Sequence, residues 1–169
     1  MTAAPLKIRL YGDPCLRKKS IPVVSVGPGE QSLLQAMLAV MREHKGVGLA
    51  APQLGINRQI FVADIGDGPL AFINPRIIKR SGGDVIEEGC LSIPGVTVMV
   101  RRSERIAVCY IDENNQPHER VYDEMMARVI QHEMDHLGGK LIVDHAGIKE
   151  KIKLRTQLKE LEREQREIE

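Results

Sequence analysis

The stretch QHEMDHLGGK, residues 131–140, places two histidines four positions apart with a glutamate directly after the first. On an α-helix, residues four apart lie on one face, so His132 and His136 can reach the same metal ion. Burying the carboxylate of Glu133 beside two imidazoles is costly unless a cation compensates its charge. A solvated helix face that matches this short pattern by chance is the alternative. The apolar residues that mark the buried side of the predicted helix are Met125, Met126, Val129, Ile130 and Leu137.

Two histidines leave such a metal site one protein ligand short, and the sequence offers candidates on both sides. Ile142 occupies the position where one metzincin-type pattern has its third histidine, so that class is excluded. Asp144 and His145 lie beyond the predicted end of the helix, and Glu160 could serve in a thermolysin-like arrangement. Upstream, Cys90 lies in a Gly- and Pro-flanked loop, where a thiolate is a good ligand for a borderline divalent ion. A buried, inert thiol is the structural alternative for this cysteine.

The segment GVGLAAPQLG, residues 46–55, matches a loose G-x-G-x-x-G/A dinucleotide fingerprint, with Asp64 and Asp67 about 20 residues further on. That fingerprint must come after a strand and open a helix, whereas a predicted helix precedes this segment and Pro52 interrupts the residues after it. We therefore predict no nucleotide binding here. The small residues let an extended ligand backbone approach closely, and Gln53 offers an amide N–H to polarise a carbonyl. If the segment has only a structural role, it is a helix cap followed by a tight loop.

The order of predicted elements along the chain indicates an α+β fold, because a helix is followed by short antiparallel strands and then by two more helices. We expect one compact domain over residues 1–169, with antiparallel or mixed β-sheets around a central metal-binding helix. Gly46 is expected as the C-cap of the N-terminal helix and Asp123 as the N-cap of the metal-binding helix. The predicted helices are 30–44, 124–137 and an amphipathic C-terminal helix at 148–169, and the predicted strands are 59–64, 70–79, 96–101, 105–112 and 117–122.

Composition narrows the class of protein. A chain of 169 residues is long enough to bury a core, and its net charge of +1 gives no bulk attraction to nucleic acid or membranes. No apolar run approaches the roughly 18 residues of a spanning helix. The segment MTAAPLKIRLYGDP lacks the apolar core of a signal peptide. Three widely spaced cysteines do not suggest a disulfide framework. Together these features predict a cytoplasmic protein without membrane or sequence-specific nucleic-acid binding.

Three segments together resemble the signature motifs of the peptide deformylase family: GVGLAAPQ (46–53), EGCLS (88–92) and QHEMDH (131–136). They occur in order and at the family's spacing, and the similarity extends from about Leu6 to His145. The resemblance implies that the metal has three protein ligands and water in its fourth position, an open, catalytic geometry. Those ligands would be Cys90, His132 and His136.

The resemblance also implies the reaction. The substrate would be the formyl group on the N-terminal methionine of newly synthesised polypeptides, and the products formate and a free amino terminus. The ligand types suit zinc, iron, cobalt or nickel, and the resemblance implies ferrous iron as the physiological ion, with zinc as a less active substitute. A thiolate beside iron also predicts oxygen damage at Cys90.

We hypothesise the following mechanism. A bound metal would lower the pKa of a water toward ~7, so that hydroxide could attack the formyl carbon. Glu133 accepts the water proton and delivers it to the departing amine. The side-chain amide of Gln53 and the backbone N–H of Leu91 stabilise the oxyanion together with the metal. The peptide pairs in extended form along the glycine segment, and its methionine enters an apolar pocket. The expected substrate-binding residues are Gly46, Val47, Gly48, Gly89 and Val129.

Three further hypotheses stay open. Between Lys149 and Lys159 the last helix is basic, which suits contact with ribosomal RNA, although a solvated amphipathic helix has the same composition. A general zinc peptidase would take its third ligand from Asp144 or His145. A non-catalytic, metal-stabilised binding module would need a fourth protein ligand that closes the site.

Overall fold

The computed structural model describes residues 5–168, and residues 1–4 and 169 lie outside the described part. Three helices and seven strands alternate with short 3-10 turns. The helices are α1 (Pro28–Glu43), α2 (Glu124–Leu137) and α3 (Ile148–Ile168). The strands are β1 (Gly48–Ala50), β2 (Ile60–Ala63), β3 (Leu70–Ser81), β4 (Asp84–Gly89), β5 (Thr97–Arg102), β6 (Arg105–Ile111) and β7 (Pro117–Asp123).

The strands form two antiparallel sheets. Five of them pair in the order β1-β2-β3-β6-β7, and β4 pairs with β5 as a separate hairpin. The α+β prediction is thus confirmed. Among residues 5–168, both β1 and β4 have a partner strand on one side only, so each leaves one edge free. These two strands were not predicted, because β1 is only three residues long and Gly-rich and β4 runs directly into the Gly- and Pro-flanked loop of Cys90.

The N-terminal helix starts earlier than predicted, at Pro28. Proline is favoured at the first helical position, and the Glu30 carboxylate accepts a hydrogen bond from the Gly27 N–H at 2.9 Å. The prediction of Gly46 as C-cap is wrong. Lys45 takes the left-handed conformation (φ 56°) and the Gly46 N–H bonds back to a carbonyl of the last helical turn, as in a Schellman motif.

Helix α2 packs on the five-stranded sheet and buries Met126, Val129, Ile130 and Leu137 in the core that Phe61 and Phe72 form. The expectation that Met125 is buried is wrong, because its side chain is 53% exposed. Asp123 occupies the N-cap position as predicted, but its side chain makes no capping hydrogen bond.

Helix α3 runs over Ile148–Ile168, which confirms the predicted start at residue 148. The predicted last residue, Glu169, lies outside the described residues. Leu161 packs in a core cluster with the 3-10 turn at Ile142–His145 and with β5. Gln165 is buried, and its side chain accepts from the Leu10 N–H (2.7 Å) and donates to Asp13 Oδ2 (3.2 Å). The helix is therefore anchored to the N-terminal segment.

Candidate metal centre and active-site cleft

Three predicted ligands meet at one point. Cys90 follows the last residue of β4, while His132 and His136 project from consecutive turns of α2. Their ligand atoms all lie within 4.8 Å of one another, and Cys90 Sγ is 3.4 Å from His136 Nε2. Among residues 5–168 this is the one group of three or more His, Cys, Asp or Glu side chains with such spacing.

The downstream ligand candidates lie elsewhere. Asp144 forms an ion pair with Arg17. His145 Nε2 lies 2.8 Å from Asp135 Oδ2. Glu160 is exposed on α3. None of these side chains belongs to the cysteine–histidine group, so the arrangement expected of a general zinc peptidase is not present among the described residues. Within residues 5–168 the group also has no fourth side chain at its spacing, whereas a closed structural site would need one.

The donor set fits a divalent ion of the zinc or ferrous type, since it combines one thiolate with two imidazoles. His132 Nδ1 lies 3.0 Å from Glu88 Oε2. A carboxylate accepts only, so Nδ1 carries a proton and Nε2 is the nitrogen that can bind a metal. Burial lowers the pKa of His132, but hydrogen bonds with Cys90 and Glu88 outweigh it and raise the pKa to about 10, so a metal would displace the Nε2 proton. His136 is 1% exposed, and desolvation by burial holds its pKa well below the usual value, so its imidazole is neutral.

Glu88 is itself held by two arginines. Arg102 makes a two-pronged contact (Nε to Oε1 2.7 Å, NH2 to Oε2 2.9 Å), and Arg128 NH1 donates to Oε1 at 2.7 Å. Burial raises the pKa of Glu88, but hydrogen bonds from His132 and Arg102 outweigh it and hold the pKa well below its usual range. The carboxylate therefore stays ionised and fixes the orientation of His132.

Glu133 is 3% exposed, and its Oε2 has no hydrogen-bond partner within the described part of the chain. Burial is the main cause that raises the pKa of this carboxyl to about 7. Such a value is suited to both accepting and releasing a proton at neutral pH. The carboxyl lies against Gly48, where a Cβ would come within 2.5 Å of Glu133 Oε1.

Gln53 is also buried, at the end of the glycine segment. Its Oε1 accepts from the Ala50 N–H at 2.9 Å, which fixes the amide so that Nε2 is the donor. Nε2 donates to Ser92 Oγ at 3.1 Å and lies 3.6 Å from Cys90 Sγ. The donor amide is thus placed beside the candidate metal centre. Leu91, next to the thiol, lines the same space.

These side chains border a cavity of about 570 Å³, which we call the active-site cleft. Edge strand β1 and the preceding residues form one wall, the β4–β5 hairpin the other, and α2 the base. The expected substrate-binding residues Gly46, Val47, Gly48, Gly89 and Val129 all line it, together with Cys90, His132, Glu133, Gln53 and Leu91. Of the predicted site residues only His136 lies deeper than the lining.

Sequence reasoning missed the supports of the site: Glu88, Arg102 and Arg128. Alternation along a strand would have put Glu88 and Cys90 on one face, but β4 was not predicted. Buried arginines leave no periodic signal of their own. Cys109 lies half-buried in β6, with its Sγ 3.8 Å from Glu119 Oε2.

A His-Glu-x-x-His helix with a third ligand and an open position is the arrangement of metal-dependent hydrolases. The polypeptide deformylase family model matches residues 5–152, and the chain belongs to that family of hydrolases. A peptide deformylase of Thermotoga petrophila is 42% identical over 158 residues, covering 93% of this chain and 96% of the relative.

Solved structures agree. The crystal structure of peptide deformylase from Thermus thermophilus is 40% identical with a TM-score of 0.90, covering 96% of this chain and 99% of that one. The enzyme from Synechococcus elongatus, solved in complex with actinonin, is 40% identical with a TM-score of 0.83, covering 98% and 88%. No helix within residues 5–168 has the length and apolar character needed to cross a bilayer.

Proposed function

We propose that this chain hydrolyses the formyl group from the N-terminal formyl-methionine of newly synthesised polypeptides in the cytoplasm, releasing formate and a free amino terminus. The observation that carries the proposal is the Cys90–His132–His136 group with the buried carboxyl of Glu133 beside it, whose Oε2 has no partner among the described residues. Membership of the polypeptide deformylase family and the 42% identity to a named peptide deformylase support it.

Cys90, His132 and His136 would hold one divalent ion, for which we propose ferrous iron, with zinc, nickel or cobalt as substitutes. When bound, the ion supplies a water of lowered pKa and polarises the formyl carbonyl. Glu88 holds His132 in the tautomer and orientation that a ligand needs.

Glu133 would take the proton from the attacking water and return it to the amine nitrogen as the C–N bond breaks. Its burial suits both steps, because a carboxyl with a pKa of about 7 exchanges protons readily at neutral pH. The Gln53 side-chain amide and the Leu91 backbone N–H would donate to the oxygen that becomes negative. Ser92 and Ala50 fix the Gln53 amide in advance, so little reorganisation is needed.

The peptide would bind in extended form between the two free strand edges, β1 and β4, by main-chain hydrogen bonds. Gly46, Gly48 and Gly89 leave room for its backbone. The methionine side chain would enter the apolar part of the cleft beside Val47 and Val129.

Formate release from a formyl-Met tripeptide tests the proposal. We expect turnover by protein purified without oxygen, loss of turnover with a chelator and recovery when ferrous iron or nickel is added back. An N-acetyl-Met tripeptide is the control and should not react. Cleavage of internal peptide bonds without formate release would instead identify a peptidase. Cys90→Ala should lose the metal by elemental analysis, and retention of catalytic metal in that variant would contradict the ligand assignment.

The start of α3 supports a docking role at the ribosome. Lys149, Lys151 and Lys153 are exposed, and the apolar side chains of Ile148 and Ile152 beside them are 80% and 67% exposed. We infer that this surface contacts ribosomal RNA through salt-dependent phosphate contacts. Changing the three lysines to glutamate should abolish co-sedimentation with ribosomes at low salt. The same change at the exposed Lys7, Lys18 and Lys19 is the charge-matched control and should leave it intact.

A further inference from the structure

A cavity of about 290 Å³, which we call the arginine pocket, opens beside α2 and is lined by a different set of residues from the active-site cleft. Apart from two glycines of the β3–β4 turn, every described residue that lines it is polar or charged. Its basic side chains are those of Arg80, Arg101, Arg102, Lys140 and His145. Among residues 5–168 its lining has one carboxylate, that of Asp135. Because like charges repel, a cavity of this composition is suited to an anion.

Three of these cations have no carboxylate partner of their own. Arg80 belongs to β3, Arg101 to β5, and Lys140 lies between α2 and the 3-10 turn that follows it. Within the described part of the chain none of the three forms a salt bridge. All three are exposed, so their charged groups can reach a ligand. Three parts of the chain thus bring unpaired positive charges to one cavity.

Arg102 is the buried cation of the arginine pocket, with a side chain that is only 4% exposed. Its Nε and NH2 donate to Glu88, and NH1 donates to Asp135 Oδ2 at 2.8 Å. A guanidinium has five N–H groups, so one N–H of NH1 and one of NH2 have no acceptor among residues 5–168. Asp135 Oδ2 also accepts from His145 Nε2 at 2.8 Å. Because two donors already occupy this carboxylate, it opposes an incoming anion less than an unpaired carboxylate would.

Two of the exposed guanidinium groups are positioned before a ligand binds. Arg80 NH1 donates to Gln131 Oε1 at 3.1 Å, and Gln131 is 4% exposed. The same Oε1 accepts from the Ser103 N–H at 3.0 Å, which fixes the amide. Arg101 NH2 would lie 2.9 Å from a Cβ on Gly83, so this glycine leaves room for the guanidinium against the turn. Binding of a ligand would therefore cost less side-chain entropy than at freely moving arginines.

The chemistry of these donors favours phosphate among small anions. A planar guanidinium offers two parallel N–H donors that match two oxygens of one phosphate group. The excess of positive charge suits a dianion better than a monoanion. A volume of about 290 Å³ has room for a phosphate group with a small substituent.

We propose that the arginine pocket binds a phosphate group, either as inorganic phosphate or as the end of a small phosphate monoester. Arg80, Arg101 and Lys140 contact its oxygens, and Arg102 supplies N–H groups from the buried side. This site is additional to the proposed hydrolysis and takes no part in it.

Calorimetric titration of the zinc-loaded protein with inorganic phosphate tests the proposal. Sodium nitrate, a planar monoanion, is titrated at the same ionic strength and should bind roughly tenfold more weakly or worse. Titration with glycerol 3-phosphate separates the two sources of the group. Binding as tight as that of phosphate or tighter indicates a monoester, and weaker binding indicates the free ion. In amide NMR spectra, phosphate should shift the signals of Gly82, Gly83 and Ser103 and leave those of Cys90 and Leu91, at the candidate metal centre, unchanged.

Arg101→Gln combined with Lys140→Gln removes two of the three unpaired charges and should raise the Kd for phosphate by roughly tenfold or more. Arg155→Gln combined with Lys159→Gln removes the same two charges from α3 and is the matched control, with an expected change of less than about twofold. Arg101→Lys keeps the charge but loses the paired donors, so its Kd should lie between those of wild type and the first double variant. All four side chains are exposed, which favours folding of the variants. Zinc content and melting temperature in phosphate-free buffer check this.

An equal Kd in wild type and the Arg101/Lys140 variant, or amide shifts confined to the metal centre, would place phosphate at the metal and overturn the proposal. Nitrate that binds as tightly as phosphate, or an equal loss in the α3 control, would show only unspecific attraction by charge. Displacement of phosphate by a short RNA without a terminal phosphate would assign the pocket to a nucleic-acid backbone, which also contradicts a small ligand.

Discussion

At the residue scale, Glu133 has an unusual environment, because it is a fully enclosed carboxyl with one oxygen that no described side chain or backbone group satisfies. Burial of this kind raises the free energy of the folded state and persists where the group has another use. We therefore expect Glu133→Gln to bind metal normally and to lose several orders of magnitude in kcat. An amide has the same shape but cannot accept the proton.

Metal content and kcat of Glu133→Gln are measured on the same preparation. Thermal stability should equal or exceed that of wild type, since a neutral amide is less costly to bury than a carboxylate. Turnover close to the wild-type rate would sink the assignment of Glu133 as general base.

Gly48 offers a second prediction at this scale. A Cβ there would lie 2.5 Å from Glu133 Oε1 and 2.9 Å from Val129 Cγ1. Both neighbours are buried, so Gly48→Ala should displace the carboxyl and lower kcat/KM for the formyl-Met peptide by about tenfold or more, since small misplacements of a catalytic group cost on this scale.

Gly29→Ala is the control for Gly48→Ala. Gly29 lies in α1, where a Cβ meets no atom within 4 Å. Alanine there should leave activity unchanged and stabilise the helix by about 0.5–1 kcal/mol. Equal activities for the two variants in a steady-state assay would show that the close approach at Gly48 has no functional consequence.

At the element scale, α3 is secured by one buried polar side chain as well as by its leucines. Gln165 satisfies the Leu10 N–H and reaches Asp13 Oδ2, both in the N-terminal segment. In Gln165→Ala the backbone N–H of Leu10 loses its partner. We expect a loss of about 1–3 kcal/mol in the free energy of unfolding, measured by urea denaturation with an unchanged m-value.

Gln157→Ala is the matched control for Gln165→Ala. Its Nε2 bonds the Gly95 carbonyl in an exposed contact, so its loss should cost less than about 0.5 kcal/mol. The packing of Leu161 and Gln165 also means that deletion of α3 would expose core. Substitution of its lysines, rather than truncation, is therefore the informative test of ribosome docking.

Whether an element could be predicted from the sequence depended on whether it was long enough to show an apolar periodicity. Helix α2 and the strands around Phe61 and Val108 carry repeated apolar periodicity, and their positions were predicted within a few residues. Strand β1 is too short for any period to show. In β4 the apolar residues Val85 and Ile86 are adjacent and exposed while Glu88 is buried, so the strand shows no apolar alternation. The two strands that were not predicted, β1 and β4, are therefore those that border the active-site cleft.

Some residues of the candidate site could be predicted from the sequence and others could not. The glycine segment, Cys90 and the histidine helix carry motifs, and the structure brings them to one cleft. The choice of Cys90 over Asp144 or His145 needed tertiary structure or family resemblance, because residues about 40 apart in sequence have no spacing rule of the kind that a helix imposes. The arginines that hold Glu88 could not be predicted, since burial of a charged side chain depends on partners from other elements.

At the scale of the whole molecule, buried and paired carboxylates set how the protein responds to acid. The pKa of Glu88 is held well below 4.5 despite burial, by His132 and Arg102. Burial also raises the pKa of Asp144, but the hydrogen bond from Arg17 outweighs it and lowers the pKa from 3.8. In the unfolded chain both groups take up protons at their ordinary values. Their contribution to stability is therefore fully present above the ordinary pKa of 4.5 and decreases as the pH falls below it.

Three groups of the metal centre, Glu133, His136 and His132, act above that pH, and not all in the same direction. The raised pKa of Glu133 lets the folded protein bind a proton as the pH falls from about 7, which adds stability. The lowered pKa of His136 means that the unfolded chain binds a proton first below 6.5, which removes stability. The raised pKa of His132, about 10, adds stability that is already fully present below 6.5 and is lost only as the pH rises. Because the effects of Glu133 and His136 oppose each other as the pH falls below 6.5, we expect the steep decline of the metal-free protein to begin below the ordinary glutamate pKa of 4.5.

Asp144→Asn isolates one contribution far from the metal centre. It should be less stable than wild type at about pH 7, because Arg17 loses its ionised partner, and the two proteins should converge as the pH falls through the lowered pKa of Asp144. Asp67→Asn, at an exposed turn, is the control and should track wild type at every pH. The measurement is urea unfolding of metal-free protein from about pH 7 to about pH 3. A stability difference for Asp144→Asn that stays constant over this range would show that the Arg17 pair does not supply the acid sensitivity.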